Sequence, residues 1–348
     1  MIEKYLDDLE RRIDPVAEEA LHAAWKRFCV GTGDAAIFSP QRQQKKPSAM
    51  EWPDISINAA LENHELMAIH QFKLCSDALA LGTGQLLNVR CNYGTGILSS
   101  VFGAELFIMD EALNSLPTTR PLGGGEAELK RILAKGVPDL RTGLGGKVFD
   151  MAGRYHEWME PYPRIRQYVS IYHPDLQSSM DVCELLYGSE LFTDLLEKPE
   201  FIKELLDLIT QTYIAFMNVW IAIVPPRDSY ATHWAMMHQG TIMLRDDSAV
   251  NLSPEMVAEF IRPHDQRLLS TFGGGAIHFC GKGDHFIEVL STMRGLHAIH
   301  MSQPELNDME AIFRGTVDKN IRIIGLKREA AQRALDLGRD LRKSVHSW

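Results

Sequence analysis

The chain has 348 residues, 45% apolar and 24% charged, an ordinary globular composition with enough length for a large core. Its formal charge of −10 excludes a phosphate-binding surface, which needs clustered Lys and Arg, so no nucleic-acid partner is expected. Five scattered cysteines make no disulfide framework, and the acidic start of the chain has no apolar export core, so a cytoplasmic location is expected.

Apolar spacing predicts helices over residues 1–29 and 56–81. The polar, Gly- and Pro-containing stretch 31–53 between them reads as a loop or lid. From residue 85 onward, short β-like runs alternate with helical stretches. Run 86–90 precedes a helix at 96–102, and run 166–172 precedes a helix reaching Glu190. A long amphipathic helix then spans 199–220, with Leu205, Ile209, Phe216 and Trp220 on one stripe. The apolar run 214–225 is broken by Asn218 and too short to span a bilayer, so no membrane association is expected.

The last hundred residues are the clearest. Strand 241–244 leads to a helix with Ser253 as cap and Pro254 in its first turn. Strands 276–280, 298–302 and 321–326 follow, each ahead of a helix (284–293, 305–317 and 327–343). Such alternation is the mark of parallel βαβ construction. No Gly-x-Gly-x-x-Gly follows the first strand, which disfavours a dinucleotide fold and favours an α/β (β/α)8 TIM barrel. Residues 81–348 are assigned to that barrel and residues 1–80 to an N-terminal helical extension packed on it.

The chemistry-bearing residues cluster at predicted strand ends, where a barrel builds its active site. His278 and Cys280, two apart on a strand, share one face. An imidazole and a thiolate meeting there suit zinc, which can keep a position open for substrate. A buried core pair is the competing reading. The run Gly281-Lys-Gly-Asp284 offers free N–H groups as an anion cradle, or is a plain capped loop. Met243, Arg245 and Asp247 share a face if their strand continues, so Arg245 and Asp247 are candidates to bind and protonate a substrate. Tyr172, His173, Asp175 and Gln177 end another strand, with Asp175 a further candidate acid. Cys91, with Asn92 and Tyr93, ends a third strand, and Met236, Met237 and His238 precede Gly240 as further lining groups.

Several of these segments carry a resemblance. Asp246-Asp247, Leu252-Ser253-Pro254-Glu255 with Glu259-Phe260 and Pro263, Ala276-Ile-His-Phe-Cys-Gly281 and Ala298-Ile-His-Met-Ser302 resemble the C-terminal half of the uroporphyrinogen decarboxylase superfamily. Weaker similarity covers Asn92-Tyr-Gly-Thr-Gly-Ile97, Phe102-Gly-Ala-Glu105 and the helix from Pro199, whereas the first 80 residues match poorly. The resemblance implies a (β/α)8 barrel and one of two chemistries. The superfamily's methyltransferases use a His-x-Cys pair and a later Cys to hold zinc, and move a methyl group between cobalamin and a thiol. His278 and Cys280 match the pair, but no Cys follows Cys280, so a third ligand is sought in Cys91, His238 or a carboxylate. The decarboxylases need no cofactor, but their N-terminal Pro-x-Trp-x-Met-Arg-Gln-Ala-Gly-Arg segment is absent here.

Three readings follow. The first is a zinc methyltransferase acting on a small molecule, with a corrinoid, free or protein-borne, as partner and a homodimer as an admitted assembly. The second is a cofactor-independent decarboxylase of a porphyrinogen-like substrate, with Asp247 or Asp175 as acid and Arg245 and Arg90 as anchors. The third is a non-catalytic corrinoid-binding protein.

Overall fold

A computed structural model describes all 348 residues. Its twelve strands are β1 (Ile37–Phe38), β2 (Asn88–Arg90), β3 (Leu106–Phe107), β4 (Thr118–Thr119), β5 (Ser170–Tyr172), β6 (Tyr230–His233), β7 (Met236–Gln239), β8 (Ile242–Arg245), β9 (Gly275–Phe279), β10 (Leu296–Met301), β11 (Arg322–Ile323) and β12 (Val345–His346). Six form a parallel sheet in the order β1-β12-β11-β10-β9-β8, and β2 pairs in parallel with β5. The remaining four make two antiparallel hairpins, β3–β4 and β6–β7. The fold is therefore α/β with a parallel sheet. Its ladders do not join the two parallel sets into one closed cylinder.

Single contacts bridge the seams instead. Between β5 and β8, the Met243 N–H donates to His173 Nε2 at 2.9 Å and the Ser178 N–H donates to the Arg245 carbonyl at 3.0 Å. Gln41 forms an isolated bridge with Thr83 between β1 and β2.

Helices and hairpins cover both faces of the sheet, which is why β8 and β9 are buried at every position. Ile242, Leu244, Ile277, Phe279, Ile299 and Ile323 face one way, into the main core shared with the helices. Met243, Ala276, Ala298 and Ile324 face the other way, into a smaller core with Trp25, Phe28, Met236 and Met237. The run Gly273-Gly-Gly275 serves this packing: a Cβ on Gly275 would overlap the Ile242 carbonyl oxygen of the neighbouring strand.

Local chemistry sets the helix boundaries. Asp14 and Pro15 split the predicted first helix into Glu3–Arg12 and Pro15–Cys29, with the Asp14 side chain accepting the Val16 N–H. Asn63 divides the second into Ile57–Glu62 and His64–Leu81. The stretch 31–53 contains β1, so it adds an edge strand to the sheet through β12. The long helix runs over Pro199–Ile223, enough by length and composition to cross a bilayer, although the 214–225 run alone suggested otherwise. Its stripe of Leu205, Ile209, Phe216 and Trp220 is buried in the main core. The predicted 166–172 run is half helix, because Pro163–Tyr168 is helical and only Ser170–Tyr172 is strand.

Candidate functional site

Asp247, His278 and Cys280 converge at the carboxyl ends of β8 and β9, with one ligand atom from each within 4.8 Å of the others. His278 is the fourth residue of β9, and Cys280 follows the strand's last residue on the same face. His278 Nε2 lies 3.3 Å from Cys280 Sγ and 3.6 Å from Asp247 Oδ1. Those spacings suit a tetrahedral ion, for which Zn–N of about 2.0 Å and Zn–S of about 2.3 Å give an N···S edge of roughly 3.5 Å.

Strand β8 ends at Arg245, so Asp247 does not continue its face as the spacing suggests. It opens a 3-10 turn, Asp247–Asn251, that swings its carboxylate over β9, where Oδ1 accepts the Cys280 N–H at 2.7 Å. The turn is held from behind by Asp181, whose carboxylate accepts the N–H groups of Asp247 and Ser248 at 2.9 and 2.8 Å. Burial and then the charges of Asp247 and Asp246 push the Asp181 carboxyl well above the usual range.

Two groups of β10 complete the surroundings. His300 Nδ1 sits 2.7 Å from His278 Nδ1, and Ser302 Oγ 3.4 Å from Cys280 Sγ. Burial drives both imidazoles towards the neutral form, His278 well below its ordinary value and His300 to about 4. Burial also raises the Cys280 thiol, opposed by Ser302 and reinforced by Asp247. Asp247 and Cys280 stay partly exposed, so the cluster has an open side. A cavity of about 460 Å³ opens beside Asp247, lined by Gln177, Thr95, Asp181, Glu184 and Asn251.

Other candidates fall elsewhere. The Cys91 thiol points at the Val148 carbonyl, 3.4 Å away in the helical layer, so the group that joins His278 and Cys280 is the Asp247 carboxylate and not Cys91. His238 is also outside the cluster, bonded to His233 at 2.8 Å and to the Gln239 carbonyl at 3.0 Å. Met236 and Met237 fill the smaller core. The expected anion cradle is closed, because the N–H groups of Gly281, Gly283 and Asp284 are already taken by Gln303 and Asn307 side chains.

Asp175 is not placed as an acid. Its carboxylate is clamped between the guanidiniums of Arg90 and Arg245, which hold it below the usual range despite the opposing effect of burial. Arg245 is enclosed, donating to the Met243 carbonyl at 2.8 Å and lying 4.9 Å over the Trp234 ring. His173 spans the β5–β8 seam, and with Tyr172 it lines a second cavity, of about 340 Å³, near Trp220 and Arg227. Asn92 Oδ1 and the Tyr93 hydroxyl are buried without a hydrogen-bond partner, with Tyr93 in the main core. Sequence reasoning did not single out Asp181, His300 or Ser302 for a role. The last two lie in the segment Ala298-Ile-His-Met-Ser302, but their place opposite His278 and Cys280 depends on the β9–β10 register.

No protein-family model matches the sequence, and no curated protein matches it. Among solved structures, a methyltransferase from Methanosarcina mazei is similar, with a TM-score of 0.61 and 16% identity, over 84% of this chain and 81% of that one. At that identity the likeness establishes a shared fold.

Proposed function

We propose that this chain is a methyltransferase on a (β/α)8 barrel, with Asp247, His278 and Cys280 as the ligands of a zinc ion. The observation that carries the reading is the convergence of a nitrogen, a sulfur and an oxygen donor at adjacent strand ends with one side open. The fold shared with a methanogen methyltransferase supports it. Zinc in such a donor set supplies Lewis acidity, which makes a substrate thiol a better nucleophile at neutral pH.

The chain's own residues do the rest. His278 and Cys280 are held by β9, and Asp247 by its bond to the Cys280 N–H and by Asp181. Gln177, Thr95 and Asn251 bind and orient a small polar acceptor in the cavity beside Asp247. The methyl carrier is a corrinoid, free or borne on a small protein, and the reaction belongs to the cytoplasm. A cofactor-independent decarboxylase is a weaker reading, since Asp175, one of its candidate acids, is held ionised by two guanidiniums.

Metal analysis with X-ray absorption tests the proposal. Purified protein is expected to hold one zinc with a single sulfur ligand, and His278→Ala to lose it. Folded wild-type protein that takes up no zinc sinks the reading.

A further inference from the structure

Strand β10 repeats the pattern of its neighbour, with His300 and Ser302 beside His278 and Cys280. The parallel register sets His300 directly opposite His278, with ring centres 4.9 Å apart and the two Nδ1 atoms 2.7 Å apart. At that separation neither two lone pairs nor two N–H groups can face each other, so the contact holds one proton. Which ring owns it determines what His278 presents to Cys280 and Asp247. With the proton on His278 Nδ1, Nε2 offers a lone pair to the cluster. With it on His300, His278 presents an N–H there and cannot ligate.

We propose that His300 is a positioning residue: it accepts the His278 Nδ1–H and so fixes the tautomer whose Nε2 is free to bind metal. This rests on the zinc reading above. Metal-bound histidines are generally steered by an acceptor on the second ring nitrogen, and here that acceptor is another imidazole rather than a carboxylate or carbonyl. The surroundings keep His300 in place. The Trp234 ring stands 5.2 Å from it, and Gly325 on the other side leaves it room, since a Cβ there would lie 2.7 Å from His300 Cδ2. Ser302 acts alongside, its hydroxyl able to donate to the Cys280 sulfur once that is a thiolate.

The test has two arms on the full chain. Long-range 1H–15N spectra of the metal-free protein, labelled at histidine, should show His278 in the Nδ1–H form. His300→Leu, which keeps bulk and removes the acceptor, should lose that preference, and His300→Asn, whose amide oxygen can accept, should keep it. Competition with a chelator should then find zinc affinity about 10- to 100-fold weaker in His300→Leu and largely restored in His300→Asn. Wild-type His278 in the Nε2–H form, or wild-type zinc affinity in His300→Leu, overturns the inference while the zinc reading stands on the His278→Ala result. Absence of zinc from the wild type overturns both. If His300→Leu fails to fold, the wild-type spectrum and His300→Asn still decide the matter.

Discussion

Asp246 and Asp265 are fully enclosed, and none of their four carboxylate oxygens meets an ordinary donor. A proton shared between them supplies the missing donor. Burial raises both carboxyls, Asp246 well above its ordinary value and Asp265 to about 7. Through this pair the folded state holds more protons than the unfolded one, so the pair's contribution to stability falls as pH rises from about 4 towards 7, while buried neutral histidines such as His238 and His300 contribute in the opposite sense. Asp265→Asn is expected to gain stability relative to wild type as pH rises from 5 to 7.5 and to be the more stable of the two at pH 7.5, a comparison that urea unfolding at those two pH values makes directly. A variant that is less stable at both pH values contradicts the shared proton. Legibility at this scale depended on distance along the chain. His278 and Cys280 were readable because strand side chains alternate. Asp247 was visible as a carboxylate, but its position beside His278 and Cys280 needs a 3-10 turn that spacing does not reveal. Asp181 is a single aspartate in the helix Ser179–Tyr187, and nothing local marks it as the support for another loop.

Among the elements, the β6–β7 hairpin was not legible. Its two-residue turn is Trp234-Ala235, with φ of 46° and 64°, where Asn-Gly would be the usual signal. The left-handed conformation costs these residues roughly 1–2 kcal/mol each. It persists because Trp234 is packed against Arg245, His278 and His300, and because the Ala235 carbonyl accepts the Leu86 N–H at 2.9 Å. Ala235→Gly removes the strain and keeps that carbonyl, so chemical denaturation should find it more stable by about 1 kcal/mol. An unchanged or lower midpoint would mean the turn carries no such strain. Strands β1 and β12 are two residues long, too short for any periodicity, whereas β11, read as 321–326, forms only over Arg322–Ile323. The last predicted helix, 327–343, stops instead at Asp336, ahead of Gly338 at φ +80°, and the strand β12 lies beyond its predicted end, where no element was expected.

Over the whole molecule, parallel α/β construction was readable from the strand–helix alternation, but the role of the first 80 residues was not. Leu21, Trp25, Phe28 and Cys29 share the smaller core with Met243, Ala276, Ala298 and Ile324. Glu18 and Arg42 add a buried two-point ion pair, with both bonds at 2.7 Å. Removing residues 1–80 therefore strips one side of that core and one of the two partners of β12. The fragment 81–348 is expected to show no cooperative thermal transition by circular dichroism, and a sharp melt would mean the extension is dispensable.

The pairing of β1 with β12 also sets a schedule. Ile37 and Phe38 are synthesised long before their partners Val345 and His346. Until those partners are made, the nascent polypeptide carries an unsatisfied strand and an uncovered Trp25, the kind of surface that holdase chaperones recognise. Completion of this sheet edge thus waits on the synthesis of residues 345–346 rather than on the emergence of the first helices.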